Sequence, residues 1–273
     1  MRPGESFLEE FLDGCGCPGS LGLCLEGIDG NEIDRLILPQ PFALVGRQTQ
    51  SDVILDDPQV SARHTYLQVI AGGIFCLDLK SRTGTHWPEG SRPFGWINPH
   101  QSLRLGNHVL RLLQPLGNNP GVFDPMVAGS LKQPLLTLEF SHGRTTRSQW
   151  SMNRVLALIG TVGQCKVRLH DRKGVAPFHA SLVCTPKGAW VVDLLGPAGV
   201  YHNGEKVRCA RLEDGDCLSI ADFEMRVHYQ PKLTFALQLT SALRQPEKSL
   251  ENPQELQFPQ ENFWDLWLKV PRL

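Results

Sequence analysis

Residues 42–85 read FALVGRQTQSDVILDDPQVSARHTYLQVIAGGIFCLDLKSRTGT. Three short polar signals punctuate this stretch: Gly46-Arg47, Ser61-Ala62-Arg63-His64 and Ser81-Arg82-Thr83-Gly84-Thr85. Between them lie apolar or alternating runs, Val53-Ile54-Leu55, Tyr66 to Ile70 and Ile74 to Leu79. Short β-rich runs bounded by Gly, Asp, Pro and Ser predict strands joined by turns. Arg47, Ser61 and Arg82 then stand at strand ends, on loops, where a rigid sandwich carries its binding residues.

Two guanidinium groups and a hydroxyl at neighbouring loops suit a phosphate group. A phosphorylated side chain carries nearly two negative charges and three acceptor oxygens. Guanidinium binds such a group through paired, charge-assisted hydrogen bonds, and Ser61 adds a short neutral donor. The spacing GR, SxxH, SxTGT resembles the forkhead-associated (FHA) domain, whose pattern is GR, SxxH, SxNGT. That resemblance implies a β-sandwich that binds phosphothreonine peptides. It implies Arg47, Ser61 and Arg82 on the phosphate, Arg63 and Thr83 facing the adjoining peptide, and Gly46, His64 and Gly84 as structural members. One position departs: the family's Asn, which holds the ligand's main chain, is Thr83 here, a shorter side chain with a hydroxyl in place of an amide.

The outward pass begins with self-similarity. Ala157-Leu158-Ile159-Gly160-Thr161 matches Ala43 to Arg47, and Cys165 to Leu169 matches Ser51 to Leu55. Val175-Ala176-Pro177-Phe178-His179 matches Val60 to His64, Val192-Asp193-Leu194 matches Leu77 to Leu79, and Leu218-Ser219-Ile220 matches Leu103 to Leu105. The offset is 114 residues between Gly46 and Gly160 and 115 between His64 and His179. The copies share the apolar pattern, the first Gly, the His and the Gly at 84 and 199. They differ in the phosphate set: Arg47 becomes Thr161, Ser61 becomes Ala176, and Ser81-Arg82-Thr83 becomes Gly196-Pro197-Ala198. A dianion there meets no guanidinium, so the second copy is expected not to bind phosphopeptide at this place. Because His64 and His179 persist together, His64 reads as a group that holds its loop.

The expected architecture is all-β: two tandem β-sandwiches of FHA type with a short N-terminal helix and an aromatic C-terminal tail. Residues 1–20 form the helical extension, 21–115 the first sandwich, 116–133 a Pro/Gly/Asn-bearing linker, 134–231 the degenerate copy and 232–273 the tail. Ser6-x-x-Glu9 with Phe7, Leu8, Phe11 and Leu12 predicts a helix over 6–13. Leu21 to Leu38 predicts a hairpin around Asp29-Gly30. In the tail, Phe263, Trp264, Trp267 and Leu268 share one face if helical.

The 273 residues suit about two domains. A net charge of −1 argues against a nucleic-acid partner. No apolar run spans a bilayer, so no membrane partner is expected. MRPGESFLEEFL lacks the form of a signal peptide, which points to the cytoplasm and to eight reduced Cys. Cys15, Cys17 and Cys24 lack a fourth close ligand for a metal. No P-loop, Rossmann, HExxH or GxSxG pattern is present, and Ser61 and His64 lack an orienting acid, so no enzyme and no cofactor are expected. The expected role is a phosphothreonine-binding signalling adaptor. A phosphate-independent scaffold is the alternative.

Overall fold

The computed structural model describes residues 3–17, 19–97, 101–113, 125–126, 136–141, 149–170 and 173–229. The chain divides into a compact unit, Met1–Leu243, and a second unit, Arg244–Leu273. The aromatic tail and most of the expected linker lie outside the described residues.

Alternation of apolar and polar residues dictates the outer layers. Phe223–Tyr229 (FEMRVHY) buries every second side chain and exposes the others, the period-2 signature of a sheet with one wet face. In the first half, the outer sheet runs Glu32–Leu38, Leu21–Gly27, His108–Leu112, Ser102–Leu105, His86–Trp87, Gly90–Ser91. Its partner layer, the inner sheet, runs Val53–Ile54, Phe42–Gly46, Thr65–Ile70, Gly73–Asp78, Phe94–Ile97. The second half repeats this order strand for strand. Its outer sheet runs Gln149–Met152, Leu136–Phe140, Phe223–Tyr229, Cys217–Ile220, Val200–His202, Glu205–Val207. Its inner sheet runs Val167–Arg168, Leu156–Gly160, Ala180–Thr185, Gly188–Asp193, Cys209–Leu212. Even the short parallel pairing recurs, Val45 with Val53 and Ile159 with Val167.

The inner sheets break the alternation. Thr65–Ile70, Ala180–Thr185 and Gly188–Asp193 are buried at every position. Strands buried on both faces read as continuous apolar runs, which is how LVCT and AWVV read. One face packs on the sandwich's own outer sheet. The register places Tyr66, Gln68 and Phe75 together on the other face of the first copy, and Val183 with Trp190 on that of the second. These faces turn toward each other: the Ser181 hydroxyl donates to the Tyr66 hydroxyl at 2.8 Å, and Tyr66 donates to Gln68 Oε1. Gln68 Nε2 donates to the carbonyls of Pro41 and Val69, so this buried amide is satisfied.

The N-terminal helix, Pro3–Gly14, completes the cover. It starts three residues before the expected Ser6, because Pro3 presets the first helical φ and Ser6 falls inside the helix instead of capping it. Phe11 is fully buried, stacked on Trp190 of the second copy at 4.7 Å and 3° and tilted against Phe42 of the first at 6.1 Å. Glu10 pairs with Arg211, and Asp13 with Lys187 at 3.1 Å. Arg208 of the second copy crosses to Asp52 of the first at 2.5 Å, with its guanidinium 5.0 Å from the Phe42 ring centre. Cys15, Cys17, Cys76, Cys165 and Cys184 are buried free thiols, and burial pushes Cys17 up to about 11. Among the described residues no helix is long and apolar enough to cross a membrane, and no cluster of His, Cys, Asp or Glu is arranged to hold a metal ion.

Candidate functional site

The loop 57–61 is the floor of the site. Asp57 sets it: its carboxylate accepts from the amides of Gln59 and Asn107, each at 2.8 Å. These amides, Asn107 first, hold the Asp57 carboxyl below the usual carboxylate range. On this loop four predicted residues meet. Arg47 is exposed and its Nε donates to Val60 O at 3.3 Å. Arg82, also exposed, donates from Nη2 to Pro58 O and from its backbone amide to Ser61 Oγ at 2.9 Å. Thr83 Oγ1 donates to Gln59 O at 2.9 Å. Ser61 Oγ thus accepts from Arg82, which leaves its proton to donate outward.

Two glycines make the approach possible. A Cβ on Gly46 would lie 2.2 Å from Ala62 O, so only Gly lets this strand end pass the Ser61–His64 loop. Gly84 takes φ +79°, the left-handed region, where its amide reaches Ser81 Oγ at 2.9 Å. Ser81 in turn donates to Asp78, as does Thr85 at 2.8 Å. Asp78 was not picked out as a site residue in the sequence, although its persistence as Asp193 in the second copy was the signal for it.

His64 is wholly buried and ties the two loops together. Its Nδ1 accepts from the Ser61 amide at 3.1 Å, and its Nε2 donates to Gly84 O at 3.1 Å. His179 repeats both bonds, from the Ala176 amide at 3.0 Å and to Gly199 O at 3.0 Å. One accepting and one donating nitrogen make each ring neutral, and burial lowers both pKa values. In the unfolded chain each imidazole takes its proton near pH 6.5. As pH falls through that value the unfolded state binds protons first, so stability present above it is lost on the way to the folded pKa values. The urea midpoint is expected to hold between about pH 8 and 7 and to drop toward about pH 5. A midpoint that stays level to pH 5 contradicts this.

Arg63 does not join the site. It is expected to face the peptide, but its Nη1 donates to Phe178 O at 2.8 Å and Leu194 O at 2.9 Å, both carbonyls of the second copy. The reason is the pairing of the inner sheets, which places the strand that follows Arg63 beside its counterpart after Phe178. In the second copy, Thr161, Ala176, Gly196, Pro197 and Ala198 stand where the phosphate set stands in the first. Ala176 and Phe178 are buried.

Compared with known protein families, residues 157–221 match the FHA domain model. Residues 28–115 match a different model, Yop-YscD_cpl, described as the cytoplasmic domain of the inner membrane component of T3SS. The FHA model thus matches the second half of the chain, whereas the fuller set of phosphate-type residues stands in the first. Residues 157–221 keep the strand pattern, Gly160, His179 and Gly199, which are the scaffold of the motif and not its cations. Among curated relatives, an oxoglutarate dehydrogenase inhibitor of Corynebacterium efficiens is 30% identical over 79 residues, covering 29% of this chain and 56% of the relative. The glycogen accumulation regulator GarA of Mycolicibacterium smegmatis is 29% identical over 96 residues, covering 29% of this chain and 61% of the relative. The matches thus span somewhat over half the length of these relatives. A solved structure described as "Structural and functional analysis of phosphothreonine-dependent FHA domain interactions" is 26% identical, covering 36% of this chain and 98% of that one, with a TM-score of 0.33.

Proposed function

We propose that the first sandwich binds phosphothreonine peptides, with Arg47, Ser61 and Arg82 on the phosphate and Thr83 against the peptide main chain, and that the protein acts as an adaptor. The observation that carries this reading is the convergence of Arg47, Arg82, Ser61 and Thr83 on the single loop 58–61. The guanidinium groups rest on neutral carbonyls, which a dianion displaces with a stronger, charge-assisted pairing. The second copy has a structural role: the residues at its equivalent loops are small, apolar or buried. Relatives named as an inhibitor and a regulator support a binding protein over a catalyst.

The test is fluorescence anisotropy of the whole protein with a degenerate phosphothreonine peptide pool and its unphosphorylated twin. Binding of the phosphorylated pool alone is expected, and equal binding of the two pools overturns the reading. Equal, measurable binding would favour a phosphate-independent scaffold. For that second reading the specific observation is the sheet edge Glu32–Leu38, where Ile33 and Ile37 are 56% and 62% exposed.

A further inference from the structure

Two of the contacts between the two copies join equivalent positions. Arg63 meets Phe178 and Tyr66 meets Ser181, and both pairs are separated by 115 residues, the offset of the repeat. Contacts of a position with its own counterpart mark an isologous interface, so the copies pair about a pseudo-two-fold axis close to residues 63–66 and 178–181. The axis therefore passes beside the Ser61–His64 loop.

That loop is held from three directions. Its own sandwich supplies the amides of Arg47 and Gln48, which donate to Ser61 O at 2.9 Å and Ala62 O at 3.1 Å. The Gly84 loop supplies the Arg82 amide on Ser61 Oγ and the His64 bridge to Gly84 O. The second copy supplies the third hold, two carbonyls on one guanidinium nitrogen of Arg63. The same bonds engage the equivalent face of the second copy. Phe178 O and Leu194 O lie at the loops that flank His179, and this face is taken up by a cation of the first copy.

Resting on the reading above, we propose that Arg63 is a positioning residue through which the second sandwich holds Ser61 and its loop in the geometry that binds phosphate. The duplicate is then a working part of the binding site, and the affinity of the first copy depends on an interface that touches no ligand. Holding a ligand-contacting group from behind fixes its geometry as much as the group itself does. Coupling of this kind changes affinity by roughly threefold to tenfold per residue.

The experiment compares the whole wild-type protein with Arg63→Ala, Arg63→Lys and Arg208→Ala. Arg208 bridges the copies through Asp52 and Phe42 and has no bond to the loops 58–61 or 81–84. Two quantities are read on each protein: affinity for the phosphothreonine pool, and hydrogen exchange at the amides of Gln48, Ser61 and Arg82. Arg63→Ala and Arg208→Ala are each expected to weaken binding by roughly threefold to tenfold and to speed exchange at all three amides. Arg63→Lys, which keeps one donor group for the carbonyls, recovers part of both. Wild-type affinity in Arg208→Ala overturns the proposal, because an Arg63 that touches only peptide predicts that result. If the wild-type protein binds no phosphopeptide, the functional reading above fails on its own. The exchange rates then still decide the structural half: faster exchange in Arg208→Ala supports it, and unchanged exchange overturns it. Should Arg63→Ala fail to fold, Arg63→Lys and Arg208→Ala carry the test.

Discussion

Arg47→Ala is expected to weaken binding of the phosphothreonine pool by roughly 100-fold while leaving the unfolding midpoint within experimental error. The asymmetry follows from where the side chain stands. Arg47 is exposed, and its one hydrogen bond goes to the carbonyl of Val60, which solvent satisfies equally well. Its removal therefore disturbs no packing. On the proposed assignment the phosphate, in contrast, loses a charge-assisted partner and part of the charge that offsets its own. Arg82→Ala should act in the same direction. It should also loosen its own loop, because that side chain holds Pro58 O. Anisotropy with both pools reads the first quantity and a urea titration the second. If Arg47→Ala binds as wild type does, the phosphate is held elsewhere and the site assignment falls.

Phe11→Ala should be the most destabilising of the substitutions considered, by about 3–5 kcal/mol. Phe11 has no exposed surface and fills the space between Phe42 and Trp190, rings that belong to different sandwiches. Truncation leaves a cavity that neither sheet can close, since each is pinned by its own ladder. It also frees the helix Pro3–Gly14, whose remaining ties include surface ion pairs of small value. For a chain of this size the melting temperature should fall by roughly 10 °C, with loss of the near-ultraviolet signal of stacked Trp190. A loss below about 1 kcal/mol would show that the helix is not part of the core.

Much of this was legible in the residues. The strand pattern, the repeat and its offset all appear in the sequence, because period-2 burial and turn glycines leave marks that need no partner to be read. The gathering of Arg47, Ser61, Arg82 and Thr83 was equally legible, since each sits beside a Gly or a turn that fixes its loop. The relation between the copies was not. Arg63 carries the same side chain whether it faces a peptide or the carbonyls of Phe178 and Leu194, and only the pairing of the inner sheets decides which. The helix start was misplaced for a local reason: Ser6-x-x-Glu9 has the form of a cap, but Pro3 offers an earlier start. The strongest clue to the interface was compositional. VVD, LVC and IFCL are too apolar for strands with a wet side.

The inner sheets, covered on both faces, bear on how such a protein can change over evolutionary time. A gene segment encoding one sandwich alone would yield a product with Tyr66, Gln68 and Phe75, or Val183 and Trp190, bare to water, an adhesive surface of the kind that drives aggregation. A single copy cut from the chain is therefore expected to aggregate where the pair stays in solution. A polar substitution at Val183 or Trp190 would therefore be felt by both sandwiches, although neither residue touches the loops 58–61.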